Sequence, residues 1–406
     1  MVPLHVLHEL SISTPSKIVL VVLDGLGGFP DPATGKTELE TARTPHLDDL
    51  ARRSNCGLTQ AVAPGISPGS GPAHLALFGY DPIVHNVGRG ILSALGIGFE
   101  VGPDDLCARM NFATIDERGV ITDRRAGRIS TELNRRLVEK LRTIKLPGVQ
   151  LFVETESGHR AAVIFRGPGL SDRLTDTDPQ REGLPPLQVE PIGDDPAARR
   201  SAELANEFVR QAAALLKDER PANFVLLRGF ARYPNIPKFT ETFKLKAGAI
   251  AVYPMYRGLA RLVGMDVLEH GESLEDEVAS LERHWDAYEF FFLHYKNTDT
   301  TGEDGNFAAK VAAIEEFDAV LPRILALRPD VLAITGDHST PSRLRSHSWH
   351  PVPLLVHSQW CIPDGPDGVD GFNERACRRG SLGVLPAQQL MPLLMGHALK
   401  LERYGA

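Results

Sequence analysis

Between Lys17 and Asp24 the chain reads KIVLVVLD, six aliphatic residues in a row with no polar side chain among them. A strand with one wet face alternates apolar and polar residues, whereas an unbroken apolar run suits a strand covered on both faces, the position of a central strand in a parallel sheet. Asp24 then falls at the C-terminal end of that strand, where GLGGFP turns the chain. A helix is expected to follow from Thr44 as cap and Pro45 as first helical residue. Strand, loop and helix in that order form the opening unit of an α/β fold.

Two later runs repeat the pattern. Glu289 to Tyr295, EFFFLHY, leads into KNTDTTGEDGNF, which places Asp299 and Glu303 in a loop ahead of a helix whose apolar face carries Phe307, Val311, Ile314 and Leu321. Val331 to Ile334 breaks at Gly336 and sets Asp337 beside His338, with His347 a short way on. One acid at a strand end is commonly a turn or cap carboxylate. Three strand ends with acids are harder to explain that way, because carboxylates gathered at one sheet edge repel unless cations neutralise them. Carboxylates with imidazoles suit a divalent metal, so a two-metal cluster at the carboxyl edge of the sheet is expected. Ser70 lies where the glycine-rich PGISPGSGP meets the helix-compatible AHLALFGY. A helix N-terminus favours a bound anion, and a serine hydroxyl becomes nucleophilic when metal ligands converge on it.

From His85 to about Lys246 the pattern changes. A hairpin is expected around Asn111 and Asp123 with a basic end of Arg124, Arg125 and Arg128, then two strands meeting at Glu156 to Gly158 with His159 and Arg160 in the second. Gly167 to Pro196 reads as a long loop, and Leu204, Phe208, Ala212 and Leu215 mark a helix face. The stretch AIAVYPMYRGLARLVG reads as helical. The expected organisation is a core of residues 1–84 and 247–406 with residues 85–246 inserted as a smaller α+β substrate-binding or lid domain. A chain of 406 residues is long enough for two cores.

A net charge of −8 argues against nucleic acid or an anionic membrane as the main partner, while leaving room for a basic pocket. Cys56, Cys107, Cys361 and Cys377 are scattered without a CxxC pair, which fits reduced thiols in a cytoplasmic protein. Ile18 to Leu23 is too short to span a bilayer.

In order, VVLDGLG with Asp24, PGSGPAHLALFGYDP with Ser70 and His74, VGRG, DRRAGR, ESGHR, LLRG, LKAGAIA, KNTDTTGEDGNF with Asp299, and GDHSTP with the later His347 resemble the alkaline phosphatase superfamily. More narrowly they resemble the archaeal type of cofactor-independent phosphoglycerate mutases. The resemblance implies an α/β fold with an alkaline-phosphatase-like, mostly parallel sheet flanked by helices. It also implies interconversion of 3-phosphoglycerate and 2-phosphoglycerate through a phosphoserine at Ser70, without 2,3-bisphosphoglycerate. It assigns Asp24, Ser70, Asp337 and His338 to one metal ion and Asp299 and His347 to a second, which that family completes with a histidine where this chain has Glu303. An oxygen donor there shifts the preference toward Mn²⁺ or Mg²⁺ and away from Zn²⁺, so Mn²⁺ is expected first, with Mg²⁺, Co²⁺ or Zn²⁺ as alternatives. His350 is a candidate replacement ligand. Arg89, Arg109, Arg124, Arg128, Arg160 and Arg228 are candidates to hold a carboxylate, Lys246 to reach a phosphate, and His159 to act as acid or base. Gly71-Pro72 and Ser93 depart from the family pattern near the expected substrate. They leave a metal-dependent phosphatase, phosphonate hydrolase or phosphotransferase as the alternative.

Overall fold

A computed structural model of the chain describes residues 2–85, 87–363 and 368–405. It divides into two compact units, residues 1–86 with 236–406, and residues 87–235. The second junction precedes the expected boundary at 246/247, because Phe239, in the short Phe239–Thr242 helix, packs its ring against Phe78 and Phe290 of the first unit.

The strands in chain order are β1 (Ile18–Leu23), β2 (Asn55–Gln60), β3 (Asp105–Ile115), β4 (Ile121–Asp123), β5 (Gln150–Ser157), β6 (Arg160–Arg166), β7 (Phe224–Arg232), β8 (Ala247–Ala251), β9 (Asp266–Val267), β10 (Phe290–Tyr295), β11 (Val331–Thr335), β12 (Val352–Ser358) and β13 (Gly383–Pro386). The first unit holds an eight-stranded sheet in the order β13-β2-β12-β11-β1-β10-β8-β9. β11, β1, β10, β8 and β9 run parallel, and only β12 opposes its neighbours. Every residue of β1, β10 and β11 is buried, as expected of mostly apolar strands without polar alternation.

Because β1, β10 and β11 are parallel and in register, Asp24, the segment after Tyr295 and the segment after Thr335 emerge at one edge of the sheet. Lys246, by contrast, precedes β8 and is exposed at the opposite edge, its ammonium 4.9 Å from the Tyr288 ring and its N–H bonded to Glu289. That removes it from the expected phosphate contact. The stretch read as one helix divides instead into buried β8 and the Pro254–Leu262 helix. Five small or β-branched residues, AGAIA, lie too deep in the sheet for helix periodicity to matter.

The Pro45–Arg52 helix begins where expected, but Thr44 makes no capping bond. Asp318, from the Phe307–Ala326 helix, accepts from Leu47 N at 2.7 Å and His46 N at 3.3 Å in its place. Asp299 and Glu303 stand on a short helix, Asn297–Glu303, rather than in a loop.

The second unit is an antiparallel sheet in which β3 pairs with β4, β6 and β7, and β5 pairs with β6. Leu106, Ala108, Met110 and Phe112 of β3 enter a core closed by the Thr131–Leu141 and Pro196–Leu216 helices. On the long helix Leu216 is buried in place of Leu215, which is 40% exposed. Residues 167–195 form no named strand or helix and are held by main-chain bonds such as Thr175 N to Glu190 O and Thr177 N to Leu227 O. The unit's two ends lie together: a Cβ built on Gly88 would stand 2.6 Å from the Cβ of Ala231. In the first unit the flanking segments also meet, the Tyr80 hydroxyl donating to Pro237 O at 2.8 Å.

Candidate active site

At the carboxyl edge of the large sheet, Asp24, Asp337 and His338 are all buried, and ligand atoms of the three lie within 4.8 Å of one another. His338 Nε2 stands 3.4 Å from Asp24 Oδ1, 3.1 Å from Asp337 Oδ2 and 3.3 Å from Ser70 Oγ. A second group, Asp299, His338 and His347, adjoins it, with the two imidazoles stacked 3.6 Å apart. Ser70 is the first residue of the Ser70–Leu77 helix, with Gly69 in the cap position, so its hydroxyl does not serve as an N-cap. His74, one turn on, bonds its Nδ1 to Ser70 O at 2.8 Å and places it 3.3 Å from Asp337 Oδ2.

Gly25, directly after Asp24, is in a left-handed conformation with φ 63°. An added Cβ would come within 2.5 Å of Thr340 Oγ1 and 2.8 Å of Asp299 Oδ1, so only glycine lets the two groups close up there. Thr340 in turn donates to Asp299 Oδ1 at 2.6 Å and lies 3.0 Å from His338 Nδ1.

Several residues that the sequence did not single out complete the arrangement. Lys296 Nζ bridges the groups, 2.8 Å from Asp24 Oδ2 and 2.6 Å from Asp299 Oδ2. The Tyr256 hydroxyl donates to Asp24 Oδ2, and His294, stacked 3.7 Å from the Tyr256 ring, is 3.3 Å from the same oxygen. Burial and Asp337 push the Asp24 carboxyl up, but Lys296 and His294 outweigh them and hold it below the usual carboxylate range. Burial likewise opposes ionisation of Asp337, and His338 and His74 overcome it. Burial and the adjacent Asp24 raise the Tyr256 phenol well above its ordinary value, which keeps it a donor.

Among the described residues Asp24 Oδ1 and Asp337 Oδ2 are buried and accept no hydrogen bond. Buried anionic oxygens in that condition are costly unless a cation meets them. The carboxylate and imidazole donors of these two groups, which share His338, suit divalent metal binding. Glu303 lies at the rim, 56% exposed, its Oε1 3.8 Å from His347 Nε2. His350 falls outside both groups: its Nδ1 is 3.0 Å from Ser348 Oγ, and its ring lies against Trp349 and Phe29.

The second unit carries a separate basic face. On β3, Arg109 pairs with Arg228 of β7 and Asn111 pairs with Arg160 of β6, so all four project on the side opposite the Met110 and Phe112 core. Glu156, whose side chain is 3% exposed, stands 3.6 Å from Arg109 and 3.9 Å from Arg160. The Nε atoms of Arg109 and Arg228, Asn111 Oδ1 and Glu156 Oε2 are buried without hydrogen-bond partners among the described residues. His159 is neutral at pH 7, since burial and then Arg160, Arg109, Arg125 and Arg128 lower its pKa to about 4. Arg124 makes a two-pronged pair with buried Asp178, at 2.8 and 2.6 Å, and Arg228 lies 3.4 Å from the same carboxylate. Arg89 and Arg128 are exposed, at the start of the Arg89–Gly96 helix and in the Ala126–Arg128 turn, and Ser93 is buried in the former. Gly71 is buried beside Ser70.

A family model described as 2,3-bisphosphoglycerate-independent phosphoglycerate mutase matches residues 51–223. A probable 2,3-bisphosphoglycerate-independent phosphoglycerate mutase of Aquifex aeolicus is 50% identical, covering 99% of this chain and 100% of its own. A protein of the same description from Thermus thermophilus is 52% identical over 99% of each chain. Among solved structures, the cofactor-independent phosphoglycerate mutase of Thermoplasma acidophilum is 32% identical, with a TM-score of 0.70 over 94% of this chain and 100% of that one.

Proposed function

The chain belongs to the 2,3-bisphosphoglycerate-independent phosphoglycerate mutase family and is an isomerase; from that premise we propose that it interconverts 3-phosphoglycerate and 2-phosphoglycerate through a phosphoserine at Ser70. The observation that carries the reading is the approach of Ser70 Oγ to within 3.3 Å of His338 Nε2, which itself touches Asp24 and Asp337. Asp24, Ser70, Asp337 and His338 would hold one divalent cation, and Asp299 and His347 a second, with Glu303 reaching it from the rim. The oxygen-rich donor set suits Mn²⁺ first, then Mg²⁺ or Co²⁺, ahead of Zn²⁺. Such ions lower the pKa of a serine hydroxyl and offset charge on phosphoryl oxygens.

Ser70 Oγ forms a bond to phosphorus as the bond from phosphorus to O3 of glycerate breaks. Arg109, Arg160 and Arg228 hold the glycerate carboxylate through paired N–H donors, a use their orientation on one sheet face supports. The proton that Ser70 loses passes to O3 as it departs; neutral His159 then takes the proton from O2 as that oxygen attacks the phosphoserine, and that proton returns to Ser70 Oγ as the serine leaves. Exclusion of water during the transfer is what separates a mutase from a phosphatase. The cytoplasm and the glycolytic pathway are the setting this activity implies.

The test is to assay Ser70→Ala with Mn²⁺ and no 2,3-bisphosphoglycerate, and to look for a stable phosphoenzyme in the unaltered protein. Loss of interconversion and of phosphoenzyme is expected. Retained interconversion would remove the phosphoserine route, and inorganic phosphate as main product of the unaltered protein would make it a hydrolase.

A further inference from the structure

Lys310 has no exposed surface, and its ammonium donates to three main-chain carbonyls, Gly25 at 2.8 Å, Gly27 at 3.0 Å and Thr340 at 2.8 Å. An ammonium has three N–H donors and no acceptor, so three carbonyls use it completely; a neutral amine would turn its lone pair toward one of them. Carbonyl oxygens gathered around a compact positive charge are also the surroundings a protein offers a bare potassium ion.

The carbonyls belong to the two segments that carry the site. Gly25 follows Asp24 and donates its N–H to Asp337 Oδ1 at 3.1 Å. Thr340 follows Asp337 and His338, and its hydroxyl joins Asp299 to His338. Behind them, Glu38 accepts from Ser342 N at 2.8 Å and Phe29 N at 3.1 Å, and Glu374 accepts from Gly28 N at 2.8 Å. Lys310 thus stands at the centre of a buried arrangement of main-chain oxygens, and the Glu38 and Glu374 carboxyls oppose the lowering of its pKa by burial.

We propose that Lys310 is a tethered monovalent cation, a positioning residue whose charge, rather than whose bulk, holds the Asp24 and Asp337 segments where their carboxylates converge. The protein therefore needs no free potassium or ammonium ion to order these segments. Removing the side chain beyond Cβ creates that need, and the missing piece is a propylammonium ion.

The experiment compares Lys310→Ala, Lys310→Met and unaltered protein in tetramethylammonium buffer, by Mn²⁺ titration calorimetry and by thermal melting in a chelator. Both variants are expected to bind Mn²⁺ about 10- to 100-fold more weakly, the cost typical of losing support behind metal ligands. Propylammonium, and potassium to a lesser degree, should restore affinity and melting temperature to Lys310→Ala. It should do neither for Lys310→Met, whose side chain fills the space, nor for the unaltered protein. Full Mn²⁺ affinity in Lys310→Met would overturn the proposal, as would equal rescue of Lys310→Ala by uncharged 1-propanol. A Lys310→Ala chain that stays unfolded with and without propylammonium would overturn it too. The affinity measurement rests on the two-cation reading: unaltered protein that binds no Mn²⁺ rejects that reading, while the melting comparison in chelator still decides the role of Lys310.

Discussion

Glu303 is one of the residues where this chain leaves the pattern it resembles, and its position explains how that departure is tolerated. Its carboxylate reaches in from the rim toward His347 instead of filling a buried slot, so no desolvated charge is created. Glu303→His is expected to raise affinity for Zn²⁺ relative to Mn²⁺, read by competition titration; an unchanged ratio would take Glu303 out of the donor set. His159 gives a second residue-level expectation. Its ordinary value of 6.5 falls to about 4 in the fold, so between those values the unfolded chain binds a proton that the folded chain refuses. Stability therefore declines as pH falls from 6.5 toward 4 and is insensitive to this group above 6.5. An NMR titration should place His159 below 5, and His159→Asn should flatten that part of the stability curve; a midpoint near 6.5 would contradict the crowding by arginines. Asp24, Asp299, Asp337 and His338 stand out in the sequence because they follow apolar runs, whereas Tyr256, His294 and Lys296 do not, since their meeting with Asp24 depends on the pairing of β1, β10 and β8.

Strand direction decides what a charged residue beside a strand can do. Lys246 and Lys296 both border apolar strands, yet one precedes its strand and the other follows, and parallel alignment sends them to opposite edges. Lys246→Ala should leave kcat/KM within about twofold, as for most exposed substitutions, in the assay used for Ser70→Ala. A larger loss would mean that the amino edge of the sheet takes part in the reaction. The Phe307–Ala326 helix contains a signal that sequence alone could have yielded. Lys310 recurs with Ile314, Phe317 and Leu321 on the buried stripe, and Asp318 shares that side. A charged residue on an apolar stripe must be satisfied inside the protein, here by carbonyls for Lys310 and by helix N–H groups for Asp318. The strand β8 was misread because its alanines and glycine carry no periodicity, and only burial between β10 and β9 makes AGAIA a strand.

At the scale of the molecule, each unit carries its own part of the proposed chemistry: serine and metal-type donors in the first, the arginine face in the second. Replacing residues 87–235 with a short Gly-Ser bridge should leave a chain that binds Mn²⁺ and cleaves p-nitrophenyl phosphate but no longer interconverts the phosphoglycerates. A folded truncated chain without Mn²⁺ binding would show that the donors depend on the inserted unit. The insertion was visible in sequence as a change of pattern, but its second boundary was hidden, since Phe239 joins the first unit through ring packing and not through any periodic signal. The neighbouring ends at Gly88 and Ala231, matched by the meeting of Tyr80 and Pro237, make the inserted segment a cassette with both of its leads at one port. Recombination at that port would trade one version of the inserted unit for another in a single event, leaving Ser70 and the carboxylate and imidazole groups of the first unit in place.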